Sequence, residues 1–153
     1  MATRFLILSD SHDDAFPIKA PAADVILHCG DMTMIGGLSN YRRALDNLKA
    51  MDAELKLVIA GNHDVSLDLE WWEKNLDADD DIDEPSEARN IFLQENKNGI
   101  HLLDRGLHEF TLETAKNLPS TPPHIHLSLT ATRFHIRRKK IYSTAERMAS
   151  RAI

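Results

Sequence analysis

The feature that most constrains this chain is a set of three short apolar runs, each ending abruptly at a small or acidic residue. They are Phe5-Leu6-Ile7-Leu8, Val25-Ile26-Leu27-His28-Cys29 and Leu55 to Ala60, the last with Lys56 inside it. Runs that are continuous rather than alternating belong to strands covered on both faces, the habit of parallel sheets. The first reads as a buried strand over Arg4 to Ser9, and the lone Cys29 as a buried strand thiol. Gly36-Gly37 breaks the chain before Leu38 to Met51, where Leu38, Tyr41, Leu45 and Leu48 recur at helical spacing opposite Arg42, Arg43 and Asp46. Strand, crossover, strand, helix, strand argues for an α/β sheet core with right-handed connections, flanked by helices.

Further along, Ser66 to Asn75 is predicted helical, with Ser66 as its N-cap and Glu70 to Lys74 as an i,i+4 pair, and Trp71-Trp72 packing part of it down. Asp77 to Glu87 holds seven acidic residues in eleven together with Pro85, which predicts a solvated loop. Ile91-Phe92-Leu93 and Ile100 to Gly106 follow, and then His108 to Thr114, whose alternation predicts a half-exposed strand or hairpin arm.

The net charge of −6 conceals a switch in sign. Residues 1–115 carry 10 Lys and Arg against 23 Asp and Glu, whereas residues 116–153 carry 8 basic residues and the single acidic Glu146. This divides the chain into residues 1–115 and a basic tail, 116–153, in which Pro119, Pro122 and Pro123 crowd together and Arg137-Arg138-Lys139-Lys140 are four consecutive cations. Thr144 to Ala152 is either a terminal helix or a frayed end. No apolar run is long enough to span a bilayer, and Met1-Ala2-Thr3-Arg4 leads into no secretory core, so the expected compartment is the cytoplasm with no membrane partner. One cysteine excludes an internal disulfide framework.

The chemistry gathers where the runs end. Asp10 follows the first strand with His12 two residues on, Asp31 follows the second, and Gly61-Asn62-His63-Asp64 follows the third. Parallel strands bring their carboxyl ends to one edge, and carboxylates and imidazoles on stiff backbone are what hard divalent metals require. Singly these elements are commonplace as caps and turn residues; three in a fixed order are not.

Together, Asp10-Ser11-His12, Gly30-Asp31 and Gly61-Asn62-His63-Asp64 resemble the motifs of the calcineurin-like metallophosphoesterases, and the chain up to about Thr114 is similar to their small metallophosphatase-domain members. The resemblance implies a layered sheet core whose second half is incomplete here. It implies hydrolysis of a small phosphomonoester or phosphodiester by a metal-activated hydroxide at a dinuclear centre of two divalent or trivalent ions: manganese, iron or zinc. It further implies that Asp10 and His12 hold the first metal, Asp31 bridges both, and Asn62 holds the second. His63 would serve the leaving group as proton donor or charge stabiliser, with Asp64 orienting it.

The family also uses a later histidine and a Gly-His-x-His element. His124-Ile125-His126 has that spacing, but Pro123 stands where glycine is expected, and the alternative is a coincidental pair in a proline-rich loop. His101 and His108 come too early in the chain. One explanation covers the missing motifs and the charge switch together: residues from about Lys116 onward are out of frame or from an alternative exon; the alternative is a genuine tail in which Arg133 to Lys140 forms a basic strip. Two functions compete with an active phosphoesterase. One is a truncated or degenerate relative with little or no catalysis. The other is a nucleic-acid or acidic-surface binder using the tail, which the net charge of −13 over residues 1–115 opposes.

Overall fold

A computed structural model of the chain describes residues 3–16, 20–78, 80–113 and 124–129. Strands β1 (Phe5–Leu8), β2 (Val25–His28), β3 (Leu55–Ile59) and β4 (Ile100–Leu103) form one sheet in that order, every neighbouring pair parallel. Helix α1 (Leu38–Lys49) connects β2 to β3, and α2 (Leu69–Asn75) and α3 (Glu84–Glu95) lie between β3 and β4. Tyr41, Leu45 and Leu48 of α1 and Ala88 and Phe92 of α3 pack on Ile26, Val58 and Ile100 from one face of the sheet. The Tyr41 and Phe92 rings meet edge to face, 5.8 Å apart. Each large side chain buried in this layer contributes about 1.5–3 kcal/mol.

The opposite face is covered by an antiparallel pair, β5 (Gly106–Thr111) and β6 (His124–Leu129), running from Gly106 opposite Leu129 to Thr111 opposite His124. Phe110, Leu112, Ile125 and Leu127 there meet Val25, Leu55, Leu57 and Leu103. The result is an α/β arrangement of helices, parallel sheet and a second small sheet. The expected alternation appears in β5, whose residues are half-buried and exposed by turns.

Three expectations are corrected. β1 is not covered on both faces: Leu6 and Leu8 pack toward the helices, but Phe5 and Ile7 are 45% and 65% exposed. β1 is an edge strand, and although its register sets Phe5 beside Val25 and Ile7 beside Leu27, the β5–β6 layer does not reach them. Cys29, one residue past β2, is likewise exposed rather than a buried strand thiol. Second, Ser66 does not cap a helix. Val65–Leu67 is a 3-10 turn, the Ser66 hydroxyl donates to the Tyr41 hydroxyl at 3.2 Å, and Asp68 caps α2 by accepting from Trp71 N at 3.1 Å. The Glu70–Lys74 pair forms at 2.6 Å, and Trp72 is buried.

Third, the acidic stretch does not stay a loop to Glu87, because α3 begins at Glu84. Proline lacks the N–H that a first helical turn leaves unpaired, and carboxylates favour the positive end of the helix, so Glu84-Pro85 and Glu87 start a helix as well as they would fill a loop. Pro85, Ala88 and Phe92 form its buried face, and Lys49 to Glu95 at 3.1 Å ties it to α1. In the tail only β6 is described; the rest of 116–153, including the basic strip and the expected terminal helix, lies outside the described residues. Among the described residues no helix is long and apolar enough to cross a membrane.

Candidate metal centre

Because β1, β2 and β3 run parallel, their exit loops emerge side by side. The first two are stitched backbone to backbone: Asp10 N donates to Gly30 O at 3.1 Å, His12 N to Asp31 O at 3.0 Å, and Asp13 N to Met32 O at 2.9 Å. The second and third touch through glycine. A Cβ on Gly30, at φ +104°, would lie 2.8 Å from Gly61 Cα, and a Cβ on Gly61 would lie 2.8 Å from Asp31 Cγ and closer still to Asp31 Oδ1 and N. No side chain fits between these loops.

This packing holds the chain in conformations that side chains ordinarily avoid. Asp10, His12, Asp13 and Asp31 all have positive φ, between +45° and +70°. Each such residue costs about 1–3 kcal/mol and persists only where its surroundings over-determine it, a concentration typical of functional sites. The Asp13 carboxylate accepts from Met34 N at 2.9 Å and pairs with Arg43 at 3.0 Å, securing the outer end of the first loop.

His12, Asp31 and His63 converge, each half-buried, with one ligand atom apiece lying within 4.8 Å of the others. The two imidazoles meet edge to face with centroids 4.7 Å apart. His63 N donates to Asp31 Oδ1 at 2.8 Å, and His63 Nδ1 lies 2.6 Å from the Met34 carbonyl, so Nδ1 carries the proton and Nε2 is left with its lone pair. His12 Nδ1 lies 3.4 Å from the Thr33 carbonyl in a looser version of the same arrangement. Backbone carbonyls behind two imidazoles are the usual means of orienting metal-ligating histidines. Two imidazole nitrogens and a carboxylate form a donor set suited to zinc, iron or manganese, so these residues fit a divalent ion.

The other expected residues are distributed around this group. Asp10 is 64% exposed, with Oδ1 3.8 Å from His12 Nε2 and its other oxygen taken by the Ser9 hydroxyl; it lies beside the converged three rather than among them. Asn62 is half-buried between Gly61 and His63. Asp64 does not touch the His63 ring. Its carboxylate is fully buried and accepts from Thr33 N at 3.0 Å, Thr33 Oγ1 at 2.9 Å, Met32 N at 3.3 Å and Gly61 N at 2.9 Å. Burial pushes its pKa up while these donors pull it down, burial prevailing. Asp64 therefore ties the second loop to the third, and the orientation of His63 expected from it comes from Met34 O instead.

His126 lies in a strand rather than a proline-rich loop. It is exposed, pairs across the ladder with Glu109 at 3.2 Å, and is not one of the converged residues; for His124 only the backbone is described, opposite Thr111. His101 packs its ring on Phe110, and His108 Nε2 donates to Asp104 O at 2.8 Å. The sequence offered no ready sign of His28, which is wholly buried at the end of β2 with Nε2 3.0 Å from Ser11 Oγ. Burial lowers its pKa to about 4 against the opposing charges of Asp10 and Asp31. A histidine inside an apolar run was the available signal.

The sequence profile of the calcineurin-like phosphoesterase family matches residues 3–135. The chain belongs to that family. Among curated relatives, metallophosphoesterase domain-containing protein 1 of Homo sapiens and that of Mus musculus are each 41% identical over 69 residues, covering 45% of this chain and 21% of theirs. The UPF0046 protein K07C11.7 of Caenorhabditis elegans is 29% identical over 65 residues, covering 42% of this chain and 22% of its own. The chain thus spans about a fifth of the length of the curated relatives it matches. The family makes this chain a hydrolase by ancestry.

Proposed function

We propose that this chain hydrolyses a small phosphomonoester or phosphodiester at a centre of two divalent or trivalent metal ions such as manganese, iron or zinc. The observation that carries the reading is the convergence of His12, Asp31 and His63 at the ends of three parallel strands. His12 and Asp31, with Asp10 beside them, would hold one ion; Asp31 and Asn62 would hold the other. Bound there, the ions would acidify a water and neutralise the phosphoryl oxygens. The Asp31 carboxylate accepts from His63 N–H through Oδ1, which holds it beside His12 and His63. His63, its Nδ1 proton fixed on Met34 O, would stand beside the ions rather than ligate them, with Nε2 turned to the leaving group as proton donor or charge stabiliser. Asp64 holds Thr33 and Gly61 together, keeping the Met34 carbonyl and His63 in register.

Elemental analysis of the purified chain beside manganese-stimulated hydrolysis of an aryl phosphodiester, with Asp31→Asn as control, tests this. About two metals per chain and turnover abolished in the variant is the expected result; a folded chain with neither sinks it. A second reading, a relative that binds metal and turns over little, is favoured by the separation of the exposed Asp10 from the converged three. One ion per chain with turnover no faster than in Asp31→Asn would support it.

A further inference from the structure

We infer, resting on the metal centre proposed above, that His28 is a positioning residue: acting through Ser11, it fixes the turn that carries Asp10 and His12. Ser11 is the middle residue of that turn, and the residues on either side of it are both in the left-handed region. Its hydroxyl donates to Met32 O at 3.3 Å, which uses its one proton, so the contact with His28 Nε2 at 3.0 Å must run the other way. His28 is thereby the donor and carries its proton on Nε2.

The chain from His28 Nε2–H to Ser11 Oγ to Met32 O anchors the first loop to the end of β2 from beneath. Asp13, pairing with Arg43 and Met34 N, anchors it at the outer end. His28 itself has little freedom to move. It is completely buried, Phe16 meets its ring edge to face at 5.8 Å, and Nδ1 has no partner. An imidazole retained in a core with one nitrogen unsatisfied is a poor space-filler, since an apolar side chain would leave no orphan. What it supplies is a single N–H aimed at Ser11. Neutral at ordinary pH, it adds no positive charge beneath the ligands.

The test uses the full chain with Ser11→Ala, His28→Leu, His28→Gln and the Ser11→Ala/His28→Leu double variant. Long-range 1H–15N NMR on histidine-labelled wild-type protein reads the His28 tautomer without metal, and calorimetric titration with manganese reads affinity in every form. The expected results are a neutral ring protonated at Nε2, and affinity about 10 to 100-fold weaker in Ser11→Ala and His28→Leu. The double variant should be no weaker than either single change, and His28→Gln, which keeps a donor of similar reach, should recover most of the loss. An Nδ1-protonated ring, wild-type affinity in a folded Ser11→Ala chain, or additive losses in the double variant would overturn the inference. Should His28→Leu fail to fold, Ser11→Ala and His28→Gln carry the comparison. A wild-type chain that takes up no manganese defeats the proposed function, and the tautomer then decides the His28 to Ser11 bond by itself.

Discussion

Gly61→Ala adds one methyl group where the third loop presses on the second. Ordinary contact begins near 3.4 Å, whereas the new carbon would stand 2.8 Å from Asp31 Cγ and nearer to Asp31 Oδ1 and N. Asp31 must therefore retreat by more than half an ångström, and it cannot do so by rotamer alone because its backbone N is among the atoms struck. Overpacking of this kind costs about 1–3 kcal/mol of stability. Misplacement on the scale of an ångström costs on the order of 100-fold in a site's chemistry. Gly61 has no positive φ, so the strain is purely steric. Gly99→Ala is the control: its φ is +72°, its Cβ would strike the Glu54 carbonyl, and it lies beside the start of β4, at the opposite end of the sheet from the exit loops. Urea unfolding and manganese titration on both variants should show both losing stability and only Gly61→Ala losing metal affinity. Wild-type affinity in Gly61→Ala, or an equal loss in Gly99→Ala, would refute the idea that the Gly61 contact sets the position of Asp31.

His28, lowered to about 4 in the fold and near 6.5 unfolded, binds its proton more readily when unfolded, so its contribution to stability is present above about pH 6.5 and lost as pH falls toward 4. At about 1.4 kcal/mol per unit this amounts to about 3 kcal/mol, and His28→Gln should flatten the difference in unfolding free energy between pH 7 and pH 4 by that amount. Asp68→Ala removes the cap on Trp71 N and should cost about 0.5–2 kcal/mol in urea unfolding. Manganese at 100 times its dissociation constant should stabilise the chain by about 2.7 kcal/mol; in Asp31→Asn the thermal shift should disappear, and an undiminished shift would place the ion elsewhere.

Strand β2 was legible because a strand with a layer on each side has no polar face to interrupt its apolar run, and β3 was legible despite Lys56, whose Nζ reaches the Ala53 carbonyl. β1 carries the same kind of run yet sits at an edge, since Phe5-Leu6-Ile7-Leu8 says nothing about whether a neighbour reaches Phe5 and Ile7. α3 was obscured because the residues suited to a helix's first turn, Glu84, Pro85 and Glu87, are also those of a solvated loop, and Ile91-Phe92-Leu93 is too short to show a period. At the site, Asp10, His12, Asp31 and His63 could be picked out as strand-end residues of the right chemistry. What could not be read was the division of labour set by burial. Asp64 looks like a partner for its neighbour His63 until its carboxylate is seen turned inward onto Thr33 and Gly61. His28 looks like a strand residue until its contact with Ser11 is seen.

The half-covered β1 also bears on the order in which the centre comes apart. Local opening takes the least free energy where few contacts are lost, and β1 has one paired neighbour and one packed face, whereas β2 and β3 have two of each. In native-state hydrogen exchange the amides of Leu6 and Leu8 should therefore open below the global unfolding energy. Each such opening would strain the bonds that stitch the first loop to the second and loosen Asp10 and His12 while Asp31 and His63 stay joined, setting a hinged arm against a fixed base. An ion bridging the two would suppress that opening, so β1 amide protection becomes a gauge of how fully the centre is loaded.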